Sequence, residues 1–111
     1  MERRLGHRLD KHTKVGLRTS GQRVCEAEIR DLSLSGAFIR TTVPVCPSSK
    51  VELVFPASTA AKPAAVAAWV TRSESDGIGI EWIEFAPRPV STLLFAHWTR
   101  EAANQVRSLK Y

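Results

Sequence analysis

Six short runs of strand-like residues, separated by turn signals roughly every eight to twelve positions, precede one run of helical period in this chain. That order constrains the fold more than any composition figure, because short strands at even spacing can hide their apolar faces only in a sandwich or a barrel. The runs are Thr13–Arg18, Arg23–Arg30, Ala37–Thr41, Lys50–Phe55, Ala65–Arg72 and Ile78–Phe85. Thr19–Gln22 and Ser75–Gly77 read as tight connections, and Pro44 and Pro47 bracket a loop because neither can donate to a ladder. Pro56–Pro63 is a second loop. From Ser91, a plausible N-cap, the period changes: Leu94, Trp98, Ala102, Val106 and Leu109 recur at three or four residues, an apolar helical stripe. The expectation is one mainly β domain: a leader over 1–12, a small six-stranded antiparallel barrel over 13–86, and a C-terminal α-helix over 89–109.

A chain of 111 residues is long enough for one core without staples. Its 43% apolar and 24% charged residues are ordinary for a globular chain. The longest apolar run, Ala64–Val70, falls far short of the roughly 18 residues that span a bilayer, so no membrane span is expected. No apolar stretch follows Glu2-Arg3-Arg4, which removes a secretory signal and leaves a cytoplasmic reading. Cys25 and Cys46 are not a disulfide framework and read as reduced thiols. His7, His12 and His97 lack the spacing of ligands, so neither a metal nor a cofactor is expected.

Charge is concentrated rather than spread. The first eighteen residues hold six cations (Arg3, Arg4, Arg8, Lys11, Lys14, Arg18) against Glu2 and Asp10, a net +4 of the chain's +5. That placement points to a local anion site. Arg4 and Arg8 stand four apart with Arg3 just ahead. Guanidinium presents a planar fork to phosphate or to guanine O6 and N7, and it stacks on bases. Downstream, Asp31-Leu32-Ser33-Leu34-Ser35-Gly36 sits where one strand gives way to the next. The Asp31 carboxylate can accept from guanine N1–H and N2–H₂, Ser33 can donate to phosphate, and Gly36 permits positive φ or close backbone approach. Taken singly, the first string equally describes a solvated basic segment and the second an Asx-type turn.

Jointly, the two strings spell the RxxxR and D/N-x-S-x-x-G pair, and the chain resembles the PilZ domain family from Arg3 to about Leu109. Gly77-Ile78-Gly79-Ile80-Glu81-Trp82 is similar to that family's G-I-G-V-x-F closing strand. The resemblance implies a PilZ-type barrel that binds cyclic di-GMP without catalysis, and the sequence reads as little more than the bare domain, with no output module expected. It also implies ligand-binding roles for Arg3, Arg4, Arg8, Asp31, Ser33 and Gly36. The arginine segment would close over one barrel face on binding and alter affinity for an unidentified downstream protein. An arginine at position 3, directly before the motif, goes with a stacked pair of ligands rather than one.

Two other functions compete. A ligand-independent PilZ adaptor would dock a partner through the barrel, and the intact arginines argue against it. A single-strand nucleic-acid barrel wants aromatics interleaved with basic residues. Phe38, Phe55 and Phe85 instead fall at core-like positions, so nucleic acid is not the expected partner. Trp69 and Trp82 read as core or barrel-mouth packing, and Arg18, Arg23, Arg30 and Arg40 as solvated strand edges, with Arg30 able to screen or orient Asp31. An enzyme is the poorest fit, since Ser33 has no histidine at nucleophile spacing and the carboxylates are scattered.

Overall fold

Lys50–Phe55 shows how the chain chooses its interior. Val51, Leu53 and Phe55 are buried, while Lys50, Glu52 and Val54 face outward, as a period of two on a one-sided sheet demands. A computed structural model describes residues 13–56 and 63–96, and alternation of this kind recurs in β1 and in the first half of β5, while β3 and β6 are buried on both faces in part. These are β1 (Thr13–Thr19), β2 (Cys25–Leu32), β3 (Gly36–Arg40), β4 (Lys50–Phe55), β5 (Ala64–Glu74) and β6 (Gly77–Trp82). All pairings are antiparallel, and the strands close into a barrel in the order β1-β2-β3-β6-β5-β4. Closure leaves no free sheet edge.

The interior is apolar throughout. Leu17, Ile29, Ile39, Leu53, Phe55, Val70 and Ile78 are almost fully enclosed, and among the described residues no polar or charged side chain is buried. The helix α1, described over 88–96, sets Val90 and Leu94 one turn apart into the same core. No described helix is long and apolar enough to cross a membrane.

The expected six strands and helix are present, with shifted boundaries. Asp31 and Leu32 still belong to β2 and Gly36 opens β3, so the Asp31–Gly36 string is a strand end, a corner and a strand start. β6 stops at Trp82, leaving Ile83 and Phe85 outside it; Phe85, expected to pack, is 62% exposed. Ser91 is not the N-cap. Pro87 takes that position, its carbonyl accepting from the N–H groups of Val90 (3.0 Å) and Ser91 (2.9 Å). Pro89 then lies in the first turn, where a missing N–H costs nothing, and the Ser91 hydroxyl merely donates back to the Pro87 and Arg88 carbonyls. Of the expected apolar stripe, Leu94 is buried as anticipated, and Trp98 onward lies outside the described residues.

Candidate functional site

The β2–β3 corner is held by its own hydroxyl and by β6. Ser33 Oγ accepts from the backbone N–H groups of Ser35 and Gly36, each at 3.3 Å, and the Ser33 N–H donates to the Gly36 carbonyl at 2.9 Å. From β6, Trp82 donates its indole N–H to the Ser33 carbonyl (3.1 Å) and its backbone N–H to the Ser35 carbonyl (2.9 Å). Ala86, in the left-handed region at φ 51°, donates to the Leu34 carbonyl at 3.0 Å. The backbone of the corner is thus held by its own hydroxyl, by Trp82 and by Ala86. The Ser33 hydroxyl proton has only long contacts, 3.3 Å to the Gly36 carbonyl and 3.2 Å to Ser35 Oγ. Strong O–H···O bonds are shorter, about 2.7–2.8 Å, so this proton is easily redirected.

Gly36 serves this corner by close approach alone. Among the described glycines only Gly21 has positive φ, so the conformational half of the expectation for Gly36 is overturned. A Cβ at position 36 would overlap the Ile80 carbonyl oxygen and crowd Glu81 Cα at 3.2 Å. The residue is glycine because β6 runs against it.

Asp31 lies outside the barrel, beside a β-bulge. The register steps from Ile29↔Ile39 to Asp31↔Phe38, with Arg30 as the extra residue. A matching irregularity on β5 falls between Val70 and Arg72. Following the pairing across four strands gives one row on the outer surface: Asp31, Phe38, Gly79, Arg72. Phe38 is only 3% exposed yet is absent from the barrel's interior cluster. It lies on the outer face, with the Arg30 guanidinium 3.9 Å from its ring centroid and that of Arg72 at 5.6 Å. The paired glycines of β6 make room for this. A Cβ on Gly77 would press the Phe38 ring at 2.8 Å, and one on Gly79 would meet the Arg72 stem at 3.0 Å. Arg30 also reaches Asp31 Oδ2 through Nε (3.3 Å) and Asp76 Oδ2 through Nη1 (3.6 Å).

Two expectations therefore change. Arg30 is a stacked, doubly paired side chain rather than a solvated edge, and Phe38 is covered from outside rather than packed in the core. Of the three phenylalanines expected at core-like positions, only Phe55 holds one. Arg18 is not free either, pairing with Glu52 across β1–β4 through Nε (2.8 Å) and Nη2 (2.5 Å). Trp69 is 46% exposed on β5, in the row Gly36, Glu81, Trp69, Lys50 adjoining the corner. The expectation of core or barrel-mouth packing is therefore overturned for Trp69, whose parity opposite the inward Val66, Ala68 and Val70 sets its ring outside, and holds for Trp82. The approach of Arg72 to Phe38 depends on β6 pairing with both β3 and β5 and was not visible in the sequence. Cys25 and Cys46 are free thiols at the surface.

The structure thus brings Asp31, Ser33 and Gly36 to one outer corner. Arg3, Arg4 and Arg8 lie outside the described residues. Thr13 opens β1 opposite Ile29, and β2 continues from there through Arg30 to Asp31. β1 therefore begins beside the Arg30–Asp31 bulge. Arg8 is five residues upstream, a reach of at most about 17 Å in extended chain. A cleft of about 520 Å³ opens on the outer face beside the start of β1, lined in part by Lys14, Glu28, Arg40 and Asp76.

Among curated proteins, none matches this chain. The family model of the PilZ domain matches residues 2–96, which takes in the arginine motif, all six strands and the described part of α1, and the chain belongs to the PilZ domain family.

Proposed function

We propose that this chain is a non-enzymatic receptor for cyclic di-GMP, the ligand for which its family is known, and that it signals by changing what a downstream protein meets on its surface. What supports this reading is the outer corner that carries Asp31, Ser33 and Gly36, together with the start of β1 beside it. Asp31 stands half-exposed on the outer face of that corner. Asp31 accepts from guanine N1–H and N2–H₂, and the Ser33 hydroxyl turns from its long contact toward a phosphate oxygen. Arg4 and Arg8 supply forks for phosphate and for guanine O6 and N7. Arg3 stacks on a guanine face, which accommodates two ligands per chain. Trp69 offers a further stacking surface next to the corner.

The switching follows from linkage. Ligand contacts on both the corner and the arginine segment exist together only when residues 1–12 lie over the barrel face, so ligand stabilises that arrangement by its differential affinity. The partner then recognises the covered face. A cytoplasmic location belongs to the same reading.

Calorimetric titration with cyclic di-GMP tests it, with GTP as control. Arg8→Ala is expected to abolish binding while leaving the circular dichroism spectrum and melting temperature unchanged, since the core among the described residues is built from positions 15–94. Affinity retained in Arg8→Ala would refute the assignment. A wild type that gives no heat would leave the ligand-independent adaptor in its place. Binding to single-stranded nucleic acid, weakening steeply with salt, would point to the other alternative.

A further inference from the structure

Arg30 stands immediately before the acidic residue of the corner, and its guanidinium is fixed from three directions. The Phe38 ring lies beneath it at 3.9 Å, Asp31 Oδ2 is 3.3 Å from Nε, and Asp76 Oδ2 is 3.6 Å from Nη1. Nη2 makes no hydrogen bond among the described residues, and the side chain is 37% exposed. A guanidinium held this way is pre-organised: little rotamer freedom remains to be lost when a ligand is met. Were its task only to screen Asp31, neither the ring beneath it nor the bulge that turns residues 30 and 31 against Phe38 would be needed.

The chemistry of the pair is directional. Side by side, Arg30 and Asp31 present a donor followed by two carboxylate acceptors. The Watson–Crick edge of guanine presents O6, N1–H and N2–H₂, the complementary order of one acceptor and two donors. Adenine presents an amino donor where guanine has O6, so it would set a donor against the guanidinium and an acceptor, N1, against the carboxylate.

We infer that Arg30 is a specificity-determining residue of the nucleotide site, donating to O6 of a guanine whose N1–H and N2–H₂ are taken by Asp31. The inference rests on the cyclic di-GMP reading and deepens it, because it assigns base selectivity to a residue outside both motifs. Phe38 and Asp76 are the positioning residues that hold the fork in place.

The test is titration of wild type, Arg30→Gln and Arg30→Lys with three cyclic dinucleotides: guanine, hypoxanthine and adenine, the last measured by competition. Hypoxanthine keeps O6 and N1–H but lacks the 2-amino group. Arg30→Gln removes a charge-assisted hydrogen bond, so a loss of roughly tenfold or more is expected for the guanine and hypoxanthine ligands alike. Less than about twofold is expected for adenine, so the guanine-over-adenine ratio collapses. Arg30→Lys, which keeps the charge but not the planar fork, is expected to fall between. Equal losses for all three ligands would mean that Arg30 reads phosphate or merely supports the corner, and would overturn the inference. So would unaltered selectivity in a variant whose wild type binds. A wild type that binds none of the three overturns the receptor reading first, and this one with it.

Discussion

Gly36→Ala separates a glycine required by the fold from one required only by a ligand. The Cβ it introduces would meet the Ile80 carbonyl oxygen, Ile80 C at 3.1 Å and Glu81 Cα at 3.2 Å, all backbone atoms of the neighbouring strand. No side chain can rotate away to relieve the overlap. β3 and β6 must instead part by about an ångström at this point, against an inter-strand spacing of about 4.8 Å. Overpacking of this kind costs about 1–3 kcal/mol, and weakening one or two ladder hydrogen bonds adds about 1 kcal/mol each. A total near 3 kcal/mol corresponds to a fall of roughly 15 °C in melting temperature for a domain of this size. The assay is thermal unfolding without nucleotide, with Gly21→Ala as comparison. Gly21 has φ +65° but open space around it, so only backbone strain of about 1 kcal/mol is expected there. A Gly36→Ala variant melting within about 2 °C of wild type would refute the close-approach argument.

Trp69→Ala is expected to leave stability within about 0.5 kcal/mol, since the ring is exposed, while weakening cyclic di-GMP binding by about 1–3 kcal/mol of stacking; unfolding curves and calorimetry on one preparation check both. Trp82→Phe removes the indole donor to the Ser33 carbonyl and leaves a small void, so a loss of about 1–3 kcal/mol in chemical unfolding is expected, together with reduced ligand affinity. Arg3→Leu is expected to convert a two-ligand isotherm into one ligand per chain; a single-ligand wild type would contradict the stacked-pair reading.

The barrel was legible because alternation is local. Lys50–Phe55 shows its inward and outward sets in six residues, and the structure reproduces the strand without a shift. Boundaries blurred where tertiary contacts extend or cut a strand. Asp31 and Leu32 stay in β2 because Phe38 and Ala37 of β3 pair with them, and β6 ends where Ile83 turns away to hydrogen-bond Ala67. The start of the helix was misplaced because a serine outranks proline as a cap in isolation, whereas Pro87 and Pro89 are compatible with a first turn. Phe38 was misassigned for a subtler reason. Both of its neighbours, Ala37 and Ile39, are apolar as well, so parity alone could not say which set faced inward. Its burial depends on Arg30, drawn over it by a bulge that no local signal announces, and on two glycines in a strand forty residues later.

The corner residues divide by how much of their chemistry the fold already uses. Gly36 is committed to β6, and the backbone groups of Ser33, Leu34 and Ser35 are committed to Trp82 and Ala86. A frame of this kind explains why the motif must keep its spacing: moving Ser33 by one residue would break the capping of Ser35 and Gly36 and the indole contact together. The bulge puts Asp31 and Arg30 outside that frame, on the barrel's outer surface with their charged ends half-exposed. On the cyclic di-GMP reading, selectivity is therefore open to change at position 31 with little effect on the barrel, a change at 30 also uncovers Phe38, and changes at 33, 36 or 82 alter stability and binding together. On the same reading, preorganisation of the first pair by the second group lets a corner of so few residues meet the proposed ligand without first having to order itself.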